Sequence, residues 1–556
     1  MKKNDSLNQS NSNSYFWFCA VLLCVLLVSI LARDITRPFT GLHSWGQASG
    51  AWQTRVHIKY GLCYTKGVST WAVGYPPTKS PKRYFDHPQL GGILNWLYGS
   101  ILGIHEWTFR VVGIFCSIIV MLLFLKILKG LIDEKTALLS GLILAIFPIT
   151  GYFSTGGWTT ILCFSAIWFY LVLINALKGN PTPSLRHKIG LAACLFLGLQ
   201  ITWTGFFYAF AIGLHYVCRC LKHRRWPDWS LIAIMIIAPF SSMAVTFTIM
   251  AAGYGWDISK IIELYKWRAG NAEVAAATAK FDWQMWFETL WKHSLTNYTM
   301  PVVLAALAYI TIGQVFVFVG PKDTQTGRFK CQFPQFWLFI VPAVSQLFAL
   351  RGCLWKHQTW LHPFDPFVAI AAALFVMLVF DFVKRINFKL AVVTILLLLG
   401  LFTGFCITGT NYYYAIRWQA PSKIRMFKML NQKIPPDKDL LSFEDFIVNQ
   451  HKSKGAFYRP EIAWYLDRDI VPARTLIEIE EYAKEGKCPY YLMPLAHYNA
   501  KVSAHLTQLS NQLRKRYQYE YIAGELGEKT KDGKFLKAGM VPYMIFDLTS
   551  TVSNIH

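Results

Sequence analysis

Apolar residues in this chain are gathered into long blocks separated by polar and aromatic stretches. A membrane span needs about 20 consecutive apolar residues, with shorter ones accepted inside a bundle. By that measure spans are predicted at 15–32, 108–129, 135–151, 157–175, 229–250, 300–320, 335–350, 364–382 and 389–408. The block 189–220 is too long for one ordinary span. Trp203, Thr204 and Gly205 near its middle predict two short spans meeting at one face, which brings the sum to about eleven. The N-terminus, 1–14, is polar, and the absence of a small-residue cleavage site after 15–31 predicts a retained signal anchor. Two long loops, 33–107 and 251–299, and a short one, 351–363, separate the spans. The first loop carries Trp45, Trp52, Trp71 and Trp96, and the second contains FDWQMWFETLW at 281–291; both patterns suit helices lying in the interface. From Pro421 the pattern changes to many charges and short apolar runs, such as 492–494 and 541–546, between turn residues. The predicted architecture is therefore a polytopic α-helical membrane domain over 15–420 and a soluble α/β domain over 421–556.

Composition agrees with lipid as the solvent: 54% of residues are hydrophobic and only 15% charged, with a mean hydropathy of +0.32. The net charge of +24, from 55 basic against 31 acidic residues, suggests nucleic acid at first sight. Its distribution argues otherwise. The loops 130–134, 176–188, 221–228, 321–334 and 383–388 hold Lys178, Arg186, Lys188, Lys222, Arg224, Arg225, Lys322, Arg328, Lys330, Lys384 and Arg385, whereas the opposite loops near 152–156 and 204–205 hold no Lys or Arg. Cytoplasmic retention explains this bias and puts the N-terminus in the cytoplasm of a plasma (inner) membrane. Both long loops and the tail then face the periplasmic or extracytoplasmic side. The 12 cysteines are scattered without CxxC spacing; a disulfide among Cys63, Cys353 and Cys488 stays open.

Reactive residue types collect on that outer side. The first loop offers His43, Arg55 and His57, then Asp86 and His87 in YFDHPQL, then Glu106 and Arg110 in HEWTFR. Glu106 and Arg110 are four residues apart on one helical face, spaced for an ion pair that either anchors the helix or serves a site. Asp86, before Pro88, is either a helix cap or a general base whose pKa partial burial would raise. Arg351, Lys356, His357 and His362 cluster in RGCLWKHQTWLHP, where cations suit a lipid-carried phosphate or an ordinary headgroup. No Walker A, GxGxxG, HExxH or GxSxG element is present. An outward-facing transferase has no nucleotide supply, so its donor must ride on a lipid.

The stretches LHSWGQASGAWQTRVHIKYG (42–61), YFDHPQLGGILNWLYGSILGIHEWTFRVVG (84–113), LWKHQTWLHPFDPFVAIAAALF (354–375) and FYRPEIAWYLDRD (457–469) follow one another in an order that resembles the GT-C superfamily. The branch they resemble is that of the protein O-mannosyltransferases and lipid A aminoarabinose transferases. The resemblance implies a GT-C-like bundle and transfer of a monosaccharide from a polyprenyl-phosphate carrier, with inversion, to an acceptor hydroxyl on a glycolipid, polysaccharide or protein. In the family an acidic pair follows the first span; here His43 and Ser44 stand there, so Asp86, and after it His43, is expected as the base. Arg55, His57, His87, Glu106, Arg110, Arg351, Lys356, His357 and His362 are expected at the carrier phosphate and sugar. The reaction as read needs no cofactor or metal, with a divalent ion at Asp86 left open. A lipid-linked oligosaccharide ligase or polymerase of the same superfamily is the first alternative and a transporter or flippase the second, although the chain lacks clear internal repeats.

Overall fold

The computed structural model describes residues 2–77, 81–85, 87–154, 157–177, 182–269, 281–313, 326–354, 357–416, 421–443, 447–448, 457–458, 460–495, 500–525 and 540–551. The chain begins with helix α1 (Lys2–Leu31) and α2 (Ser44–Thr65), strands β1 (Thr70–Trp71) and β2 (Lys82–Arg83), then α3 (Leu90–Leu102) and α4 (Glu106–Leu131). Helices α5 (Glu134–Ile146), α6 (Pro148–Phe153), α7 (Trp158–Leu173), α8 (Leu185–Ile201), α9 (Thr204–His223), α10 (Trp229–Gly253), α11 (Ile258–Arg268), α12 (Trp283–Tyr298) and α13 (Met300–Ala308) follow. Next come α14 (Thr326–Ala349), two 3₁₀ turns (Arg351–Cys353 and Gln358–Phe364), α15 (Asp365–Lys384) and α16 (Phe388–Ala415). The tail alternates α17 (Pro421–Lys433), β3 (Leu440–Ser442), β4 (Ile447–Val448), β5 (Phe457–Tyr458), α18 (Pro460–Leu466), β6 (Ile470–Pro472), α19 (Leu476–Lys484), β7 (Tyr490–Pro494), α20 (Ala500–Arg514), β8 (Tyr517–Glu525) and β9 (Met540–Thr551). Contacts divide the chain into two compact units. One holds Met1–Ile35, Phe85–Gly91 and Arg110–Tyr413; the other holds Thr36–Tyr84, Gly92–Phe109 and Tyr414–His556.

The first unit is a helical bundle, and the protein is a polytopic, mostly α-helical membrane protein with a C-terminal domain built on a β-sheet. Among the described residues five helical stretches are long and apolar enough to cross a bilayer: Asn13–Leu31, Glu106–Leu131, Trp229–Gly253, Gln358–Lys384 and Phe388–Ala415. Helices α12 and α13 pass the same test as a pair bent by 107°, giving up to six. The expected count of about eleven is therefore corrected downward, and the reason is breakage. Pro148 sits at the first position of α6 and splits the apolar block 135–151, because proline has no N–H to continue α5. Thr202 is extended at φ −149°, ψ 160°, dividing 189–220 into α8 and α9 where the Trp203–Gly205 signal predicted a break. Helix α7, at 16 residues, spans only about 24 Å against the roughly 30 Å of a hydrocarbon core. The interfacial helix expected at 281–291 forms but runs on to Tyr298, where Thr299 at φ 70° turns the chain into α13. Residues 314–320 of the expected span 300–320 and 321–325 of the expected loop after it lie outside the described residues.

The bundle core stacks aromatics edge to face: Phe124, Phe164 and Phe339 have centroids 5.8–6.2 Å apart. At the α8–α9 crossing a Cβ on Gly205 would lie 2.8 Å from the backbone of Gly198, so only glycine permits that approach.

In the second unit the five-stranded sheet runs β6-β3-β7-β9-β8. Strand β3 is parallel to β6 and β7, and β9 is antiparallel to β7 and β8. Strand alternation assigns its two faces to two cores. Leu440, Leu492, Tyr543 and Ile545 pack with α2, α17 and α18, while Leu441, Tyr491, Met493, Met544 and Phe546 pack with α19 and α20. Cys63, Cys353 and Cys488 are free thiols.

Candidate active site

The sequence candidates divide between the two units. In the second, Arg55 serves the backbone. Its Nη1 and Nη2 donate to the carbonyls of Trp464 (2.5 Å) and Ala463 (2.6 Å), its guanidinium lies 5.0 Å from the Trp464 ring centroid, and Nη2 pairs with Asp467 at 3.3 Å. These carbonyls belong to the C-terminal turn of α18, which lacks helical donors and favours a cation. Burial pulls the Arg55 pKa down, opposed by the Asp467 carboxylate. Arg468 repeats the device at the end of α17, donating to the carbonyls of Asn431, Ile434 and Pro435. Glu106 accepts from Tyr465 Oη (3.1 Å) and Lys428 (3.3 Å). Arg110, in the first unit, donates to the carbonyls of Asp34 (3.3 Å) and Ile35 (2.7 Å) just past α1. The expected Glu106–Arg110 pair thus gives way to separate partners, since each group meets unsatisfied backbone or an opposite charge from another element.

His43 caps α2 in a left-handed conformation (φ 53°), and the adjacent Ser44 Oγ donates to the buried carboxylate of Glu461 at 2.7 Å. A carboxylate therefore does stand beside the HSW element, supplied by the tail. His57 is 1% exposed, with Nδ1 2.8 Å from Thr65 Oγ1, and burial holds its pKa down at about 4. It is neutral at physiological pH. The unfolded chain takes up this proton first as pH falls, so the stability His57 allows is present above about pH 6.5 and is lost toward pH 4. Between pH 7 and pH 5 it alone is expected to cost about 2 kcal/mol. Unfolding midpoints in detergent at the two pH values check this; an identical pH slope in His57→Gln would count against it.

The first unit holds a cavity of about 220 Å³ whose lining includes His87, Trp203, Tyr208, Trp360, His362 and Asp365. His87 is placed by Phe85, whose ring packs on Tyr254 at 5.0 Å and takes the space a Cβ on Gly253 would occupy. Its carbonyl accepts from Gln89 Nε2 at 2.6 Å. Burial, then the Arg268 guanidinium, then His357 push the His87 pKa down to about 3. Arg268 and His357, from two other segments of the first unit, thus lie near enough to His87 to act on its charge. Arg268 ends α11 and is buried, with Nη1 3.9 Å from Cys353 Sγ. Arg351 plays a different part: its Nε donates to the Ala269 carbonyl (3.0 Å), and its guanidinium covers the Phe281 and Trp283 rings at 4.4 and 5.2 Å. It fixes the turn that carries Arg268.

His362 Nδ1 lies 2.8 Å from Asp365 Oδ2, while Asp365 Oδ1 is 2.9 Å from Tyr298 Oη, which also reaches the Leu361 carbonyl at 2.7 Å. The ring nitrogen left to His362 is Nε2. Sequence reasoning named His362 but missed Asp365, although an H-x-x-D step at a helix start was there to be read, and it missed Arg268, which no motif marks. Asp86 and Lys356 lie outside the described residues. Among the described residues no three His, Cys, Asp or Glu side chains form a group able to hold a metal ion, so no ligand set is assigned.

A family model described as dolichyl-phosphate-mannose-protein mannosyltransferase matches residues 86–245. ArnT from Cupriavidus metallidurans, bound to undecaprenyl phosphate, superposes at a TM-score of 0.54 over 96% of this chain and 98% of its own, at 11% identity. The oligosaccharyltransferase AglB from Archaeoglobus fulgidus, in complex with an inhibitory peptide and a dolichol-phosphate, superposes at 0.53 over 95% and 74%, at 12% identity. The chain has the GT-C glycosyltransferase fold. No curated protein matches the sequence. The segment covered by the family model contains His87, α7 and Trp203, so part of the cavity wall falls within it.

Proposed function

We propose that the protein is a membrane glycosyltransferase that moves one glycosyl unit from a polyprenyl-phosphate carrier to an acceptor hydroxyl on a glycolipid, polysaccharide or protein at the outer face of the membrane. The observation that carries the reading is His87 at the wall of a cavity in the helical bundle, with Arg268 and His357 near enough to act on its charge. Burial first, and then Arg268 and His357, oppose a charge on His87; an anion relieves that opposition, and a carrier phosphate brings the charge the three basic groups lack. The two superposed enzymes hold undecaprenyl phosphate and dolichol-phosphate, which supports the same carrier class here.

In the reaction the anomeric carbon exchanges its bond to the phosphate oxygen for one to the acceptor oxygen, in line and with inversion. The bonding pair leaves on the phosphate, where Arg268 and His357 stabilise it. The acceptor proton passes to a base, a role assigned to Asp86 on sequence grounds. His362, whose Nδ1 is engaged by Asp365, keeps Nε2 for the cavity, as an acceptor when the ring is neutral. The positive-inside bias supports a cytoplasmic N-terminus and an extracytoplasmic tail. The domain limits 1–14, 15–420 and 421–556 follow the same reading, with the loops 33–107 and 351–363 as site-bearing segments.

Purified full-length protein in lipid nanodiscs, given polyprenyl phosphates bearing a labelled monosaccharide, should release free polyprenyl phosphate in step with an added envelope acceptor fraction. Mass spectrometry of envelope glycans from cells lacking the protein should show the loss of one sugar. Release only from a lipid-linked oligosaccharide would favour the ligase reading, and intact glycans together with no donor turnover would sink the proposal.

A further inference from the structure

We infer that the inner part of the cavity is a sugar-reading subsite in which Thr159, Thr202 and Gln346 hold the hydroxyls of a single glycosyl ring. This rests on the carrier-dependent transfer proposed above and adds the side chains that choose the sugar. Thr159 Oγ1, Thr202 Oγ1 and Gln346 Oε1 are buried polar atoms with no hydrogen-bond partner among the described residues. All three residues line the same cavity, and Thr159 and Gln346 are only 4% and 3% exposed. They come from three elements: the first turn of α7, the extended break between α8 and α9, and α14. Polar groups buried without partners are costly, and protein interiors keep few of them. Three such atoms on residues that line one space suit a guest with several hydroxyls or amides.

The rest of the lining narrows the guest. Trp203, Trp360 and Tyr208 present aromatic surface, so the ligand needs an apolar face as well as polar edges, which is the pattern of a carbohydrate ring. Size agrees. A dry cavity of about 150 Å³ accepts a benzene ring, and the space here is about 220 Å³, enough for one hydroxylated ring. Because His87 and His362 line the same cavity, the ring's anomeric end can meet the phosphate-binding side while its hydroxyls meet Thr159, Thr202 and Gln346.

The test compares bare polyprenyl phosphate with polyprenyl phosphates bearing one glucose, galactose, mannose or arabinose, each titrated against the full-length protein in nanodiscs. At least one glycosylated carrier should bind tenfold or more tightly than the bare carrier. Thr159→Val and Gln346→Leu, near in shape and lacking the polar atom, should each lower that preference about fivefold while bare-carrier affinity stays the same. If bare carrier binds and no sugar in the panel adds affinity, or if the variants weaken bare and glycosylated carriers alike, the subsite is overturned and the carrier reading stands. If bare carrier does not bind, both fall. A crystallographic or cryo-EM map of the donor-soaked protein with only water at these three side chains would also overturn it.

Discussion

Arg268→Ala is expected to lower kcat/KM for donor by about 100- to 1,000-fold, the usual scale for removing a preorganised donor to developing negative charge. The reason is placement. Arg268 is buried at the end of α11, backed by Cys353 and by a turn that Arg351 clamps through the Ala269 carbonyl. A guanidinium held in that way does not need to reorganise when charge moves onto the phosphate. Loss should appear in kcat as well as in donor KM, because the leaving phosphate carries more charge in the transition state than in the bound donor. Arg268→Lys should recover part of the activity, as a point charge without the fork. Full activity in Arg268→Ala, with normal expression and unfolding midpoint, would remove Arg268 from the site.

The largest stability effect is expected from Arg55→Ala, at about 3 kcal/mol. The substitution strips two carbonyls at the end of α18 of their donor and leaves Asp467 paired with Lys59 alone, at 2.9 Å. Arg55→Lys should lose a large share too, since one ammonium does not reach both carbonyls in the geometry of a fork. Thermal unfolding and limited proteolysis of the full-length protein in detergent are the readouts. An unchanged midpoint combined with a raised donor KM would restore the carrier-binding part that the sequence suggested for Arg55.

The candidate site was legible in the sequence as to its chemical type, and less so as to its members. His87, His357 and His362 were candidates because polar and basic residues between apolar blocks stand out against lipid. Arg268 was hidden because one arginine in a long polar loop has no distinguishing neighbours; only the fold brings α11 to the Arg351–Cys353 turn. Arg55, Glu106 and Arg110 show the limit of that reading. A charged residue beside a motif looks the same in sequence whether it meets a ligand or the end of a helix, and here each meets backbone carbonyls or an opposite charge.

The block pattern of apolar residues by itself determined that this is a multi-span membrane protein with a β-containing tail, because burial in lipid demands contiguous apolar length and a sheet domain demands short alternating runs. The breaks in that pattern could be placed only where they had a local cause, as at Trp203–Gly205. What the tertiary structure decided was the number of continuous spans, the bend at Thr299, the partner of each charge, and which three unpartnered polar atoms share a cavity. Those depend on contacts between residues tens to hundreds of positions apart, whose free energies are set by mutual placement and leave no mark in local spacing.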